Sequence, residues 1–316
     1  MVVLEGVFDI GLSSLMDVIG IARELTPSDQ HSESLNIELV GVRGRVKTAQ
    51  GLSVPVKRAS ELSAPDLVLI PALGVKMPVA LEAALDRRDV KDFSQCITRW
   101  AEAGASIGAA CTGTFLLAET GLLNGQRATT SWWLSSLFRQ RYPAITLDES
   151  QMLVNSSCYT TAGAALAHLD LGLGVVRSVS PSLASLCARY LLIEPRSSQA
   201  AFIIPDHVAH SDPLVERFEQ WARANISEGF SLTNAARSIA TSERTLSRRL
   251  QSVLGKSPLG YVQDLRVERA VHLLQTTNQS VERISEQVGY SDGATLRELL
   301  RKKIGKGVRE LRDRNV

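Results

Sequence analysis

The chain has 316 residues, of which 44% are hydrophobic and 22% charged, and its formal net charge is +2. This composition excludes a disordered chain and is typical of a globular protein, and the length suffices for two or three domains with separate cores. No segment approaches the roughly 20 consecutive apolar residues of a membrane-spanning helix, so we expect no membrane partner.

Four cysteines without close pairing are typical of a reducing compartment rather than of a disulfide framework. They are Cys96, Cys111, Cys158 and Cys187. The first residues lack a basic segment followed by a long apolar one, so we expect no secretory signal and a cytoplasmic protein. No Cys/His spacing resembles a zinc site, and we expect neither a metal nor a cofactor.

The charge is unevenly distributed along the chain. From Ser231 to the end there are 16 Lys and Arg against 9 Asp and Glu, a net charge of +7, whereas the first 230 residues have a net charge of −5. A basic tail on an acidic body indicates that only the tail contacts a polyanion.

The first 195 residues alternate short apolar segments with helical patterns. Asp66-Leu-Val-Leu-Ile-Pro71 is apolar in its interior, as expected for a parallel strand covered on both faces. The pattern predicts strands at Val2–Phe8, Leu35–Val42, Leu67–Pro71, Ser106–Ala110 and Cys158–Thr161, and helices at Leu12–Leu25, Val90–Ala103, Thr112–Glu119, Trp133–Arg141, Ala164–Val176 and Ser180–Ile193. This alternation predicts a doubly wound α/β domain with a parallel sheet over residues 1–195.

Residues 196–212 are polar and lie among prolines, which predicts a linker, and from residue 213 to residue 316 the pattern is entirely helical. The predicted helices are Pro213–Ile226, Thr233–Ile239, Ser242–Leu254, Pro258–Gln275, Val281–Val288, Gly293–Ile304 and a short helix near Val308. Their predicted N-caps are Ser231, Ser242, Ser257, Ser280 and Asp292, and glycines end three of them at Gly255, Gly289 and Gly305.

Two helix-turn-helix patterns follow one another in this tail, at residues 231–250 and 280–300. In the first, Ala240-Thr241-Ser242 forms the turn, and Leu246 and Leu250 anchor the second helix. Arg244, Ser247 and Arg248 are thereby left on its exposed face, where arginine can contact guanine or a phosphate. A duplicated unit of this kind predicts binding to double-stranded DNA.

The order and spacing of these motifs resemble the AraC/XylS family of transcription regulators. The resemblance is carried by Ala235 to Arg248, by Gly255-Lys-Ser-Pro258 and the helix around Leu265, and by Val288-Gly-Tyr290. In that family the linker helix holds two reading helices about one turn of DNA apart. The resemblance also implies a homodimer, RNA polymerase as a partner and activation of transcription.

The second unit departs from the family pattern. It has Leu299 and Leu300 where an aromatic residue is usual, and Glu298 where a basic residue is common. We therefore expect the first unit to read bases and the second to contact phosphates. The residues predicted to contact DNA are Arg244, Ser247, Arg248, Arg249, Arg297, Arg301, Lys302 and Lys303.

In the α/β region, Ser106-Ile-Gly-Ala-Ala-Cys111-Thr-Gly places a cysteine between a strand and a helix. Thiolate is favoured at a helix N-terminus. The segment resembles the nucleophile elbow of the class I glutamine amidotransferase-like, PfpI-type superfamily, and the resemblance extends over residues 2–200. It implies that Asp17 is the carboxylate beside the thiol.

Enzymes of that superfamily have a histidine where this chain has Ser131. A thiol nucleophile needs a base, so we expect no catalysis and interpret the domain as a sensor of a small metabolite. Three other roles remain open for Cys111: a structural residue, a redox sensor, and the nucleophile of a hydrolase or amidase. His168 is a candidate base, although a lone histidine is more often structural.

Two tryptophans, Trp132 and Trp133, follow the replaced histidine. Aromatic faces can hold an alkylammonium group, and Asp17 would supply the opposite charge. PfpI-type and AraC-type domains occur together in regulators of amine and carnitine catabolism, which suggests an amine or amino-acid derivative as effector. The predicted ligand-binding residues are Asp17, Cys111, Trp132 and Trp133.

Overall fold

The computed structural model describes residues 1–26, 35–194, 196–204 and 212–312. The chain forms two compact units, Met1–Gln199 and Ala200–Val316. Of the predicted linker, residues 196–199 belong to the first unit, and residues 205–211 lie outside the described part.

The first unit combines short strands with seven helices among its described residues. In chain order they are α1 (Asp9–Leu25), β1 (Val40–Gly41), β2 (Arg45–Lys47), β3 (Ser53–Pro55), β4 (Lys57–Arg58), β5 (Leu67–Ile70), α2 (Pro78–Leu85), α3 (Arg88–Glu102), β6 (Ser106–Ala110), α4 (Gly113–Glu119), β7 (Arg127–Ala128), α5 (Ser135–Arg141), β8 (Thr146–Leu147), β9 (Leu153–Ser156), β10 (Tyr159–Ala162), α6 (Ala167–Val179) and α7 (Pro181–Tyr190).

The central sheet has the strand order β5-β6-β10-β9. Strands β5, β6 and β10 are parallel, whereas β9 pairs antiparallel with β10 because the two form a hairpin. The sheet is therefore mixed, and the predicted α/β fold is confirmed with this one antiparallel edge. The carboxyl ends of the parallel strands meet at one edge, where ligand sites of such folds lie.

Helices cover both faces of this sheet. Ile70, Ile107 and Ala109 face a core that includes Phe93 and Phe115 from α3 and α4. Leu69, Ala110 and Ala162 face a second core, made with α1, α6 and α7. Adjacent residues of a strand point to opposite faces, which explains why the strands are apolar without interruption.

Several predicted strands are shorter than expected or absent. Within the predicted strand Val2–Phe8, only isolated bridges occur, at Val2 and Val7. The predicted strand Leu35–Val42 is reduced to β1. The hairpin of β2 and β3, helix α2 and strands β7, β8 and β9 were not predicted.

The described part of the second unit is helical. Its helices are α8 (Pro213–Ala224), α9 (Leu232–Ser238), α10 (Glu243–Leu254), α11 (Pro258–Thr276), α12 (Val281–Gln287), α13 (Gly293–Ile304) and α14 (Val308–Arg312), and a short 3-10 turn, Ala200–Phe202, precedes them. Each predicted N-cap side chain accepts a backbone N–H at the start of its helix. Gly255 and Gly305 are left-handed C-caps, as predicted.

Among the described residues, no helix combines the length and the apolar character that crossing a bilayer requires.

Candidate functional site

Helix α10 presents two arginines on one exposed face. Leu246 and Leu250 are fully buried, which fixes the orientation of the helix. Arg244 and Arg248, four residues apart, are exposed on the same side, and the neighbouring Ser247 is partly buried. This is the geometry that a helix needs to enter the major groove.

Arg249, the next residue, forms an ion pair. Its guanidinium pairs with the buried carboxylate of Asp212, the N-cap of α8. The ion pair joins the first and third helices of the second unit. Arg249 thus makes a structural contact within the second unit, and its contact with DNA stays a prediction.

The second helix-turn-helix unit also holds two of its predicted contacts in ion pairs. Arg297 Nη2 lies 2.7 Å from Glu282 Oε1, and Lys303 Nζ lies 2.5 Å from Asp264 Oδ1. Arg301 and the adjacent Lys302 are both exposed. Within the described part of the chain, Arg301 and Lys302 are thus exposed cations without an ion pair, whereas Arg297 and Lys303 are ion-paired; all four stay predicted phosphate contacts.

Arg266, on the linker helix α11, is a positioning residue that sequence reasoning missed. It is 6% exposed, and its guanidinium donates to the carbonyl oxygens of Ile226, at 3.1 Å, and Glu228. The carbon atom Cζ of its guanidinium also lies 5.1 Å from the ring centroid of Tyr290, which belongs to the second helix-turn-helix unit. A Cβ at Gly289 would approach Arg266 Nη2 to 2.5 Å, so glycine is required there. One side chain thereby fixes the linker helix both to the loop that precedes the first helix-turn-helix unit and to Tyr290 of the second.

At the edge of the sheet in the first unit, Cys111 occupies the sharp turn between β6 and α4. Its φ is 56°, in the left-handed region that non-glycine residues rarely adopt. At Gly113 a Cβ would meet the carbonyl oxygen of Ile70 at 2.3 Å, so the helix can begin this close to β5 only with glycine. The predicted elbow geometry is present.

The thiol itself is buried and hydrogen-bonded to a hydroxyl. Cys111 Sγ lies 2.8 Å from Ser131 Oγ, and the residue is 5% exposed. Burial raises the pKa of the Cys111 thiol above its ordinary value, and the hydrogen bond from Ser131 opposes this only in part. Cys111 is therefore a neutral thiol, whereas a nucleophilic cysteine requires a lowered pKa.

His168 is not available as a base. Its Nε2 accepts the backbone N–H of Ala72 at 3.1 Å, and Nδ1 lies 2.5 Å from the carbonyl oxygen of Ala165, to which it donates. Burial lowers its pKa to about 4. A Cβ at Gly11 would lie 2.6 Å from His168 Nε2, so this buried imidazole fills a space left by glycine. The structure supports the structural reading of His168.

Residues 1–177 match the DJ-1/PfpI family. The chain belongs to the DJ-1/PfpI family. Residues 235–314 match a helix-turn-helix domain family. The predicted combination of a PfpI-type domain with an AraC-type tail is confirmed.

Curated relatives combine similar regions. "HTH-type transcriptional regulator ArgR" of Pseudomonas aeruginosa is 30% identical over 219 residues, which cover 68% of this chain and 66% of that protein. "HTH-type transcriptional regulator CdhR" of the same species is 28% identical over 59% of this chain and 56% of its own length. The chain thus spans just under two thirds, or less, of these relatives' lengths.

Among solved structures, an AraC family transcriptional regulator from Pseudomonas putida aligns with a TM-score of 0.50 at 18% identity. The alignment covers 60% of this chain and 96% of that one. At this identity the likeness shows the fold alone.

Within the DJ-1/PfpI domain, the predicted ligand residues Asp17 and Cys111 differ in exposure. Asp17 is exposed on α1, whereas Cys111 is buried. The residue of α1 that faces the interior near His168 is Gly11, six positions earlier, and six residues rotate a helix to a different face. The placement of Asp17 beside the thiol stays a prediction.

The two tryptophans of the DJ-1/PfpI domain pack edge to face. The ring centroids of Trp132 and Trp133 are 5.5 Å apart with an interplanar angle of 87°. A cation cage needs ring faces that converge on one point, and here the edge of one ring covers the face of the other. Trp133 also packs against the core on the α3 side of the sheet. This arrangement does not favour a cage.

Proposed function

We propose that this protein is a sequence-specific transcription regulator that binds duplex DNA through its second unit and responds to a small metabolite bound by its DJ-1/PfpI domain. The exposed pair Arg244 and Arg248 on the capped helix α10 carries the proposal. The relatives named above as transcriptional regulators support it.

In this proposal, α10 lies in the major groove and its arginines make bidentate contacts with guanine O6 and N7. The second helix-turn-helix unit binds the neighbouring stretch of duplex through Arg301 and Lys302, which contact phosphates. The ion-paired Arg297 and Lys303 stabilise the second unit. Arg266 contacts the loop before the first helix-turn-helix unit and Tyr290 of the second, and so helps to keep the two reading helices in one register on the DNA.

The DJ-1/PfpI domain acts in this proposal as a sensor without catalysis. The thiol of Cys111 is neutral and buried, and the residue in the usual place of the base is Ser131. The backbone N–H of Ala72, which follows β5 at the same edge, is already bonded to His168. A hydrolase needs an ionised thiol, a base and a free oxyanion donor, and these contacts disfavour all three.

The cellular context follows from the same proposal. The protein acts in the cytoplasm as a homodimer, and effector binding changes how its two DNA-binding units engage the promoter and RNA polymerase. Activation of transcription is the proposed outcome.

Mapping the chromosomal sites bound by the full chain tests the proposal. We expect a few promoters to be enriched, with one shared motif whose occupancy responds to the metabolite. The matched control is the Arg244→Ala/Arg248→Ala chain, which should lose the enrichment. An equally flat map for both chains would refute the function.

A further inference from the structure

Gln199, the last residue of the first unit, has a buried carboxamide. The residue is 1% exposed. Gln199 Nε2 donates to the carbonyl oxygen of Thr130 at 3.0 Å and to Thr129 Oγ1 at 3.3 Å, and Gln199 Oε1 accepts the backbone N–H of Ala164 at 2.9 Å. A long, flexible side chain thus satisfies a buried cluster of polar groups, here called the amide subsite.

This subsite requires both a donor and an acceptor from its occupant. The hydroxyl of Thr129 donates to the carbonyl oxygen of Gln151 at 3.0 Å, so towards the subsite it can only accept. The Ala164 N–H can only donate. A guanidinium group lacks the acceptor and a carboxylate lacks the donors, whereas a primary carboxamide supplies both. Of these three groups, only the primary carboxamide therefore matches the subsite.

The subsite adjoins the elbow. Thr130 Oγ1 donates to the carbonyl oxygen of Cys111 at 2.6 Å, and the next residue, Ser131, hydrogen-bonds the thiol. Gly163 keeps the subsite open, because a Cβ there would lie 2.5 Å from Gln199 Oε1. The groups that bind the Gln199 amide thus lie next to the elbow of the DJ-1/PfpI domain.

Gln199 also ends the segment that leads into the second unit. The backbone N–H of Gln199 donates to Ser150 O at 2.8 Å, and that of Met152 donates to Ser197 O at 3.1 Å. This short antiparallel pairing holds residues 197–199 against the first unit. The side chain of Gln199 adds three hydrogen bonds to the same anchor.

We propose that this subsite binds the primary carboxamide of the effector, and that Gln199 is its internal occupant. A ligand amide replaces the Gln199 side chain, loosens residues 197–199 and so changes the connection to the DNA-binding unit. The inference rests on the proposed function for its regulatory meaning, while the subsite stands on geometry. In the wild type, Gln199 competes with the ligand for the subsite. The apparent affinity for the ligand therefore falls in proportion to the fraction of molecules in which the subsite is vacant.

Acetamide binding to the full chain tests the subsite. The Gln199→Ala chain should bind acetamide at least about tenfold more tightly than the wild type in ligand-observed NMR titrations, because the competing amide is gone. The Gln50→Ala chain, which lacks an exposed glutamine, should behave like the wild type. Acetate and methylguanidinium should not bind to the vacated subsite.

A second variant separates release of the segment from ligand binding. In Gly163→Ala the new Cβ expels the Gln199 amide but also occupies the subsite. Both Gly163→Ala and Gln199→Ala should raise the rate of trypsin cleavage after Arg196 by about tenfold, since cleavage needs local opening. Only Gln199→Ala should bind acetamide.

Equal acetamide affinity in the wild type and Gln199→Ala, or no binding to either, would overturn the subsite. Unchanged cleavage after Arg196 in both variants would overturn the anchor. Neither readout involves DNA, so loss of the regulator function would leave these results in place, and their failure would leave the regulator function standing.

Discussion

At the scale of single residues, burial decides the chemical state of the cysteines. Cys111 is buried with a raised thiol pKa, whereas Cys158 is exposed near the tip of the β9–β10 hairpin. We expect iodoacetamide to modify Cys111 more slowly than Cys158 by on the order of tenfold or more, because the reacting species is the thiolate. Mass spectrometry of the labelled peptides gives both rates in one sample. Faster labelling of Cys111 would contradict the inert thiol.

His168 gives a pH dependence of stability with a definite sign. Its folded pKa of about 4 lies below the unfolded value of 6.5, so the unfolded chain takes up the proton first. Its contribution is complete above pH 6.5 and is lost as the pH falls towards 4, by about 3 kcal/mol. Urea unfolding of the wild type and of His168→Gln measures it, and the variant should lack this loss. An imidazole that titrates near pH 6.5 in the folded protein would contradict the contact with Ala72.

Arg301 lies exposed near the C-terminal end of α13 and is expected to contact one phosphate. The Arg301→Ala chain should bind DNA more weakly, with a salt dependence shallower by about one unit of log–log slope. Arg43→Ala, which removes an exposed arginine of the first unit, is the control and should keep the slope. An unchanged slope in Arg301→Ala would remove this residue from the interface.

At the scale of elements, the linker helix depends on one buried arginine. Arg266→Ala should destabilise the second unit by about 2–4 kcal/mol, because it leaves two carbonyl oxygens without their charged donor. Arg269→Ala, at an exposed position of the same helix, should have little effect. Hydrogen exchange across residues 231–312 reports the loss locally. Equal protection from exchange in the two variants would show that Arg266 does not hold the linker helix to its neighbours.

The helices of the second unit could be predicted because their signals are local. Ser242 and Asp292 cap helices within three residues of themselves, and Gly255 ends a helix by its own left-handed backbone. Strand pairing is different, because β1 pairs with β4 across a separation that no short pattern encodes. The bridge partners of Val2 and Val7 within the predicted strand Val2–Phe8 are likewise distant in the chain, at Val40, Thr48 and Leu73.

The same limit applies to the candidate sites. Helical periodicity was sufficient to place Arg244 and Arg248 on one face. It could not show that Arg249 meets Asp212, 37 positions away, or that Lys303 meets Asp264, 39 positions away. The amide contacts of Gln199 with residues 69 and 70 positions earlier likewise left no local signal.

At the scale of the whole molecule, the two units differ in charge and are joined by a single segment of the chain. The second unit contains the basic tail, which we propose to bind DNA, and the first unit contains the buried thiol and the buried amide of Gln199. The two are joined through a segment whose last anchored residue is Gln199. In the account proposed here, a metabolite signal in the first unit reaches the DNA-binding unit through this covalent connection, which begins at the amide subsite.

The affinity of the full chain for its selected duplex, relative to a scrambled duplex of the same length at moderate salt, tests the central claim most directly. We expect the wild type to prefer its site by roughly a thousandfold or more, and Arg244→Ala/Arg248→Ala to bind both duplexes equally. If the double variant retains the wild-type preference, helix α10 does not read the DNA and the account is contradicted.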